Sequence, residues 1–363
     1  MIWTPQQEQA LCSVANWLKA GEPQIFRLFG YAGTGKTTLV KKIAEDTEGL
    51  VVFAALTGKA ALIMRSKGCH GARTIHSLIY RARESDSQEP SFILNQDSDV
   101  SHARLVIVDE CSMVDAELGR DLLSFGKPVL VLGDPAQLPP VRGGGYFTDG
   151  SPDIMLTEVH RQAADNPIVK LSMLVRAGGG LEIGSFGQSQ VMRRRDFDAG
   201  LVWSADQLLV GLNRTRRSYN KRMRELLGHD DVFPRSGDKL VCLKNNKTKG
   251  LLNGGIWIVR SIGKTRQKKI VLNVVPDDDQ AARPRCIAVL PEFFQGLEET
   301  LDPAIRHHSD EFDYGYALTV HKAQGSQWDH VVLFDESGAF REHRNRWLYT
   351  GITRAAQRLT VVV

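Results

Sequence analysis

Residues 30–37 read Gly30-Tyr31-Ala32-Gly33-Thr34-Gly35-Lys36-Thr37, and this stretch decides the fold of the 363-residue chain. It matches G-x-x-x-x-G-K-S/T between an apolar run at Ile25–Phe29 and a helical pattern from about Lys36 to Asp46. Glycines let such a loop wrap closely, so that backbone N–H groups point at phosphate oxygens. We expect Lys36 to neutralise the β- and γ-phosphates and the Thr37 hydroxyl to ligate Mg²⁺. The sequence therefore predicts a nucleotide site.

Two further polar segments each follow a short apolar run. Asp109 and Glu110 come after Leu105–Val108, where one carboxylate can hold Mg²⁺ and its neighbour can orient and deprotonate water. Gln137 follows Val129–Leu132, and it either hydrogen-bonds a γ-phosphate or belongs to an ordinary turn. The carboxyl ends of parallel strands meet at the ligand edge of a sheet. The carboxylate pair beside a phosphate loop therefore indicates hydrolysis rather than nucleotide storage.

Short apolar runs recur along the chain, whose length suits two or three folded units. In the first 150 residues they alternate with helical patterns, which is typical of a parallel sheet covered by helices. The pattern returns later, so we predict two α/β units, the second interrupted by a small all-β module. The predicted strands are Ile25–Phe29, Leu50–Leu56, Leu105–Val108, Val129–Leu132, Leu208–Leu212, Val331–Phe334 and Leu359–Val363 in the α/β units, and Leu240–Leu243, Ile256–Val259, Ile270–Val275 and Ile287–Leu290 in the module.

The composition excludes several classes of protein. Lys and Arg number 46 and Asp and Glu 42, for a net charge of +4, and hydrophobic residues make up 42%. These globular values exclude global disorder, and no apolar run approaches the roughly 18 residues of a membrane span. The first ten residues do not predict a secretory signal. Five cysteines without a C-x-x-C pair fit a reducing compartment, and Cys69, His70 and His76 lack the spacing of zinc ligands.

Basic residues are concentrated between Met192 and Glu225, where nine of them oppose four acidic residues, a local balance of 9 − 4 = +5. Such a patch attracts phosphate backbones, although many basic stretches are only solvated faces. Within it we predict a helix over Arg214–Leu227. Its apolar stripe is Tyr219, Met223 and Leu226, and its basic face is Arg217, Lys221 and Arg224.

Together the motifs resemble those of superfamily 1 helicases, in the 5′→3′ branch (superfamily 1B) of the RecD and Dda type, in a compact stand-alone form. The resemblance covers nearly the whole chain, in the family's motif order. The motifs are a Q motif (Thr4–Ala10), motif I (Gly30–Thr37), motif Ia (Leu56–Ala61), a T-x-H element (Thr74–His76), motif II (Asp109–Met113), motif III (Gly133–Pro140), motif IV (Val159–Gln162), motif V (Ala317–Ser326) and motif VI (Tyr349–Ala355). Since the chain begins almost at the Q motif, we expect no N-terminal extension of the kind that longer RecD-like proteins carry.

The resemblance implies two RecA-like P-loop domains with parallel sheets and with ATP bound between them. The first domain is expected at 1–150, with a short insert at about 80–102 in the place of the strand-separating pin. Phe92 is the candidate wedge of that pin. The second domain is expected at 151–236 and 311–363, and the all-β module at 237–310 resembles the inserted SH3-like barrel of this branch.

The resemblance also implies site residues. ATP is expected to contact Gln7, Gly30, Gly33, Thr34, Gly35, Lys36, Thr37, Thr38 and Gly325, with Gln7 on the adenine, and Mg²⁺ to contact Thr37 and Asp109. Catalytic roles are expected for Lys36, Glu110, Gln137, Arg161 and Arg354, the two arginines acting as fingers across the cleft. Single-stranded DNA is expected to contact Thr57, Lys59, Thr74, His76, Thr319, His321 and Lys322. Either histidine could equally be a structural hydrogen-bonding residue.

The function implied by the resemblance is an ATP-dependent 5′→3′ DNA helicase or translocase in replication, recombination or repair. Its partners would be single-stranded and forked duplex DNA, and its cofactors ATP and Mg²⁺. Three alternatives stay open: an RNA or RNA–DNA hybrid helicase, a non-enzymatic single-strand-binding module that uses ATP as a structural ligand, and a subunit that needs a larger complex. We expect a monomer in the cytoplasm of a bacterium or phage-infected host, with a single-strand-binding or replisome protein as partner and no membrane association.

Overall fold

The computed structural model describes residues 3–82, 92–139, 145–158, 165–246, 248–265 and 267–363. Its strands are β1 (Ile25–Gly30), β2 (Val51–Ala55), β3 (Arg73–Thr74), β4 (Tyr80–Ala82), β5 (Phe92–Leu94), β6 (Leu105–Asp109), β7 (Val129–Gly133), β8 (Ile154–Leu156), β9 (Gly184–Phe186), β10 (Ser189–Met192), β11 (Gln207–Val210), β12 (Lys239–Cys242), β13 (Ile256–Ile262), β14 (Ile270–Pro276), β15 (Arg285–Val289), β16 (Phe312–Tyr314), β17 (Ala317–Thr319), β18 (Trp328–Phe334) and β19 (Ala355–Val362).

Helices cover these strands. The α-helices are α1 (Pro5–Ala20), α2 (Lys36–Asp46), α3 (Gly58–Ser66), α4 (Ile75–Ile79), α5 (Ala116–Leu123), α6 (Pro167–Arg176), α7 (Ala199–Trp203), α8 (Asn213–Leu226), α9 (Pro291–Gln295), α10 (Pro303–His307) and α11 (Arg344–Ile352). Short 3-10 helices lie at Asp99–His102, Cys111–Met113, Arg194–Asp196, Glu298–Thr300 and Ser337–His343. Within the described ranges, no helix is both long and apolar enough to cross a bilayer. All five cysteines are free.

A six-stranded parallel sheet carries the phosphate loop, residues 30–37. Its order is β3-β2-β6-β7-β1-β8, and every pairing is parallel. Both faces are buried: Leu130 and Leu132 of β7 pack in one apolar cluster, while Val129 and Val131 pack in another. This alternation is the period of two that a strand imposes on its side chains. The sheet confirms the predicted α/β fold with a parallel sheet.

The second six-stranded sheet has the order β17-β11-β18-β19-β10-β9, and only the β9–β10 pairing is antiparallel. Between β11 and β17 the chain forms a five-stranded antiparallel sheet, β15-β14-β13-β12-β16. Four of its strands, β12 to β15, occupy the runs predicted for the all-β module, whereas β16 was not predicted and lies beyond the expected end of the module at 310. After the antiparallel sheet the chain re-enters the second sheet directly, because only two residues separate β16 from β17.

The predicted pin falls largely outside the described residues. β4 and β5 pair as a two-stranded antiparallel ribbon, and residues 83–91 between them are not among those described. The pin and the wedge role of Phe92 therefore stay predictions.

Helix α8 corrects two predictions about its faces. Leu226, predicted in the apolar stripe, is 42% exposed, whereas Arg224, predicted on the basic face, is 3% exposed. Arg224 Nε donates to the buried carboxylate of Asp238 at 3.2 Å, and Arg216 forms an ion pair with Asp313. Both predictions were wrong, and for Arg224 the reason is that Asp238, the residue before β12, supplies a buried acidic partner that a helical periodicity cannot reveal. Part of the predicted basic patch is thus neutralised inside the fold.

Candidate functional site

Three glycines give the phosphate loop its shape, for two different reasons. Gly33 and Gly35 each have φ of +81°, a left-handed value that favours glycine. Gly30 has an ordinary φ, but a Cβ there would lie 2.7 Å from Thr34 Oγ1 and 2.8 Å from Leu156 Cβ. The first two glycines thus supply conformation and the third supplies space.

Lys36 is held by the loop's own backbone. Its Nζ donates to the carbonyl oxygens of Gly30 at 2.5 Å and Tyr31 at 3.0 Å. Thr37 and Thr38 follow in the first turn of α2, where free N–H groups favour an anion. The loop, the ammonium group and the helix N-terminus therefore converge as a phosphate site requires.

Gln7 joins α1 to the phosphate loop. Its Nε2 donates to the Thr34 carbonyl oxygen at 3.1 Å. Its Oε1 accepts from the Thr4 N–H at 3.1 Å, and the Thr4 hydroxyl accepts from the Gln7 N–H at 3.3 Å. This reciprocal pair is a capping box that begins α1. The predicted adenine contact of Gln7 stays a prediction beside this structural one.

The carboxylates after β6 combine burial with backbone strain. Glu110 has φ of +53°, a left-handed value that costs a non-glycine residue about 1–2 kcal/mol. Asp109 Oδ1 accepts from the Glu110 N–H at 2.8 Å. Burial, followed by the negative charge of Glu110, raises the pKa of the Asp109 carboxyl to about 6, while the Lys36 ammonium acts in the opposite direction. Strain and desolvated charge of this kind cluster at functional sites.

The same residues fit a magnesium ion. The Asp109 carboxylate and the Thr37 hydroxyl are hard oxygen ligands, and a divalent cation would offset the cost of burying the carboxylate charge. Mg²⁺ bound with a nucleotide needs only one or two carboxylates from the protein.

Asp134 and Tyr349 form a junction to which the sequence assigned no role. The Tyr349 hydroxyl donates to Asp134 Oδ2 at 2.5 Å and accepts from the Ala32 N–H of the phosphate loop at 3.0 Å. Burial raises the pKa of both the Asp134 carboxyl and the Tyr349 hydroxyl. Their only sequence signal was their place in motifs III and VI. A residue of α11, beside the second sheet, thus touches the phosphate loop of the first.

Two more hydrogen bonds fasten segment 133–138 to the second sheet's elements. The Leu138 N–H donates to Thr350 Oγ1 at 2.9 Å, and Gln324 Nε2 donates to the Leu138 carbonyl oxygen at 2.9 Å. Gln137, the residue before Leu138, is 7% exposed, and its buried Oε1 finds no hydrogen-bond partner among the described residues. An unsatisfied buried acceptor costs about 1–3 kcal/mol. This oxygen could pair only with a donor, so a bond from Gln137 to a phosphate oxygen would have to come from its Nε2.

The predicted arginine fingers have different outcomes. Arg161 and the rest of motif IV, residues 159–162, lie outside the described residues. Arg354 is 5% exposed, and it donates to the carbonyl oxygens of Thr350 at 3.1 Å and Ser326 at 3.2 Å. These partners belong to the second sheet's own layer. A finger role for Arg354 therefore requires at least part of these hydrogen bonds to be exchanged for phosphate oxygens.

Arg176 also contacts the phosphate loop, although the sequence assigned it no role. It ends α6, and its guanidinium carbon lies 3.5 Å from the centroid of the Tyr31 ring. A guanidinium over an aromatic face is attractive. The phosphate loop is thus contacted from the second sheet's side at two adjacent residues, Tyr31 and Ala32. No local pattern in the sequence pointed to this contact.

The threonines predicted to bind DNA share one local structure. Thr57, Thr74 and Thr319 each accept, through Oγ1, a hydrogen bond from a backbone N–H three residues later, at 3.1–3.3 Å. The accepting oxygen starts a helical turn and leaves the hydroxyl hydrogen to donate elsewhere. Gly325 also lies here, because a Cβ on it would be 3.4 Å from Thr57 Oγ1. The predicted nucleotide contact of Gly325 stays a prediction.

A cleft of about 2090 Å³ runs between α3 and α4, the antiparallel sheet and β18, and Lys59, Thr74 and His76 line it. Lys59 Nζ lies 4.5 Å from the centroid of the Trp328 ring. Burial lowers the pKa of Lys59 to about 8. Burial also lowers the pKa of His76, of His321 and of Lys322. The part of the cleft around Lys59 therefore joins a cation, hydroxyl groups and aromatic faces, which suits a single strand of nucleic acid. Seven carboxylates and five Lys or Arg side chains line the cleft as a whole.

Comparison with known proteins gives matches over most of the chain. A family model described as AAA domain matches residues 3–193, and one described as UvrD-like helicase C-terminal domain matches residues 314–362. The ATP-dependent RecD2 DNA helicase of Deinococcus radiodurans is 29% identical over an alignment that covers 91% of this chain and 46% of that protein. The ATP-dependent DNA helicase dda of Enterobacteria phage T4 is 35% identical over 41% of this chain and 37% of that protein.

Solved structures share the fold. Bacteroides Pif1 bound to single-stranded DNA superposes with a TM-score of 0.59 at 19% identity, over 99% of this chain and 92% of that one. This chain spans less than half the length of the two curated relatives named above.

Proposed function

Because the chain belongs to the AAA-domain family and is a superfamily 1B helicase of the RecD/Dda type, we propose that it hydrolyses ATP to move 5′→3′ on single-stranded DNA and unwind duplex. The observation that best supports this proposal is that the phosphate loop, which follows β1 of the first sheet, contacts α11 and α6, the helices beside the second sheet. Ala32 bonds to Tyr349, and Tyr31 stacks on Arg176. A nucleotide bound to the loop would therefore affect the elements of the first sheet and, through α6 and α11, those of the second. Its hydrolysis would then shift one sheet relative to the other.

The proposed catalytic roles fall on the phosphate loop and on the two polar segments that follow β6 and β7. Lys36 neutralises phosphate charge, Glu110 orients and deprotonates water, and Gln137 contacts the γ-phosphate. Mg²⁺, held by Thr37 and Asp109, would neutralise charge on the phosphates when bound. Gln7, Gly30, Gly33, Thr34, Gly35, Thr38 and Gly325 complete the proposed ATP contacts, and Arg161 and Arg354 are the proposed fingers.

We propose the domain bounds that the sequence predicts. The first two sheets support two RecA-like domains, proposed at 1–150 and at 151–236 with 311–363, and the antiparallel sheet supports an SH3-like module, proposed at 237–310. Two strands cross these bounds, since β8 pairs in the first sheet and β16 pairs in the antiparallel sheet. Since both proposed walls of the ATP site come from one chain, hydrolysis requires no ring, and a monomer is the proposed active form. A single-strand-binding or replisome protein remains a proposed partner.

The proposed DNA path runs through the cleft and over the threonine-capped turns. Lys59, Thr74 and His76 lie in the cleft, and Thr57, Thr319, His321 and Lys322 continue the path. Hydroxyls, backbone amides and lysines contact phosphates without reading bases, so binding should be largely independent of sequence.

We expect the DNA affinity to fall as the pH rises through about 8, because Lys59 loses its proton there. A neutral amine cannot pair with a phosphate, and a charge-assisted hydrogen bond of this kind is worth about tenfold in affinity. Lys59→Gln should be about tenfold weaker at pH 7 and should flatten this pH dependence. Anisotropy titrations of a labelled oligonucleotide from pH 6.5 to 9.5 measure both effects.

Lys67→Gln is the matched control, because Lys67 is exposed at the end of the same helix and does not line the cleft. The salt dependence gives a second measure: losing one phosphate contact should reduce the logarithmic slope by about 0.7. An unchanged slope and pH profile in Lys59→Gln would remove Lys59 from the DNA path.

The proposed function itself is tested by phosphate release with and without single-stranded DNA, followed by unwinding of duplexes with 5′ or 3′ tails. We expect strong stimulation and unwinding from 5′ tails only. Unwinding only from 3′ tails would contradict the polarity, and stimulation by ribo- but not deoxyoligonucleotides would favour the RNA helicase. Stimulation without unwinding would indicate that a partner is needed. No stimulation by either polymer would leave a binding module.

A further inference from the structure

The Tyr349 hydroxyl lies where the phosphate loop, segment 133–138 and α11 meet. We propose that Tyr349 is a positioning residue that transmits the occupancy of the phosphate loop to α11 and to segment 133–138. The inference rests on the proposed function, since it supplies a route from the nucleotide to the second sheet. It is distinct from the finger roles of Arg161 and Arg354, because Tyr349 acts through other residues.

The Tyr349 hydroxyl already donates one hydrogen bond and accepts another. A phenolic hydroxyl offers one hydrogen and accepts through its oxygen. The hydrogen goes to Asp134 Oδ2 at 2.5 Å, and the oxygen accepts from the Ala32 N–H at 3.0 Å. Tyr349 is 1% exposed and so is Asp134, so water cannot easily replace either bond. The position of the hydroxyl therefore depends on the loop and on Asp134 together.

The Ala32 N–H is the sensitive element of this junction. Loops of this kind turn their backbone N–H groups toward bound phosphates. A phosphate in the loop would compete with the Tyr349 hydroxyl for the Ala32 N–H. If the N–H turns to the phosphate, Tyr349 keeps only its bond to Asp134, and the tie between the loop and α11 is released.

Loss of the hydrogen bond between Ala32 and Tyr349 would affect the second sheet through α11. Thr350, the next residue of α11, accepts from the Leu138 N–H at 2.9 Å, and Gln324 holds the Leu138 carbonyl oxygen. Asp134 and Leu138 are thus both bonded to α11, and Gln137, which carries the unsatisfied amide oxygen, lies between them. We therefore expect a shift of α11 to be passed to Gln137 through these two neighbours.

The test is Tyr349→Phe, which removes one oxygen and keeps the ring. We expect the DNA-stimulated kcat to fall about tenfold, equivalent to about 1.4 kcal/mol, with the KM for ATP within twofold of wild type. Hydrogen–deuterium exchange with a non-hydrolysable ATP analogue gives a readout that does not need turnover. In the wild type the analogue should change exchange in residues 30–37 and in residues 344–352. In Tyr349→Phe the change should persist at 30–37 and disappear at 344–352.

Two variants separate positioning from stability. Tyr314→Phe removes another buried tyrosine hydroxyl, which donates to the Val232 carbonyl oxygen at 2.8 Å in the antiparallel sheet, and it should behave as wild type in both assays. Asp134→Asn keeps an acceptor for the Tyr349 hydroxyl and should show a smaller defect than Tyr349→Phe. Equal loss of kcat in Tyr314→Phe would show that the effect is only structural.

The inference is overturned if the analogue changes exchange at 344–352 equally in Tyr349→Phe, or if it never does so in the wild type. It is also overturned if the kcat of the variant stays within twofold of a DNA-stimulated wild type. A wild type without DNA-stimulated hydrolysis would instead refute the proposed function, and the exchange experiment would still decide the role of Tyr349.

Discussion

Lys36→Ala is expected to reduce ATP hydrolysis at least about 100-fold, while single-stranded DNA binding without nucleotide stays within about twofold of wild type. Lys36 Nζ is bonded to the loop carbonyls of Gly30 and Tyr31 and does not line the cleft. Removing it takes away the charge that stabilises the transferring phosphoryl group. Phosphate release measures the first effect, and anisotropy of a labelled oligonucleotide measures the second.

Lys41→Ala is the matched control for this prediction. Lys41 lies on the same helix, α2, where it is exposed and pairs with Glu45 at 3.8 Å, and such surface pairs contribute little. Its hydrolysis and binding should match those of the wild type. Weak DNA binding by a folded Lys36→Ala protein would contradict the separation of the ATP and DNA sites.

Arg354→Ala should lose turnover by about 10³-fold or more while it retains ATP binding, as expected for an arginine finger. The structure adds a second effect. The guanidinium is buried and bonded to the carbonyl oxygens of Thr350 and Ser326. Its removal takes away the donor to Ser326, while Thr350 keeps the Thr353 hydroxyl as a donor, and the lost bonds should lower the melting temperature. Arg354→Lys keeps a positive charge but loses the planar fork, and its turnover should also fall. Titration with a fluorescent ATP analogue, single-turnover hydrolysis and thermal melting separate these effects.

Arg346→Ala serves as the control, because Arg346 is exposed on α11, the helix that ends two residues before Arg354. It should keep both turnover and melting temperature. Turnover at the wild-type rate in a folded Arg354→Ala protein would remove Arg354 from the finger role and leave the buried guanidinium a purely structural part.

The features that the sequence predicted well are local ones. The phosphate loop and the helix at Lys36–Asp46 were found at the predicted residues, because glycine spacing and helical periodicity act over a few positions. The predicted runs in both α/β units and in the all-β module became strands, because nearly continuous apolar runs demand burial. The short strands β9, at the edge of the second sheet, and β10 beside it gave too weak an apolar signal to be predicted.

What the sequence could not show depends on pairs of residues that only the fold brings together. The helical pattern assigned Arg224 to an exposed basic face, whereas the fold brings the carboxylate of Asp238 into hydrogen-bonding contact with it. Gln7 keeps its predicted adenine contact as a prediction, and the fold adds a hydrogen bond to Thr34 that no local pattern indicated. The junction at Tyr349 needed the positions of both sheets, since no periodicity links α11 to the phosphate loop.

The separation of Ala32 and Tyr349 by 317 residues also has a consequence for biosynthesis. At about 5–20 residues per second, a ribosome needs about 16–63 s to travel from one to the other. Throughout that interval the nascent chain carries a phosphate loop that lacks the partner from α11. A product released before Tyr349 would retain the P-loop motif without this partner, so only a chain synthesised past Tyr349 can form the hydrogen bond that ties the loop to α11.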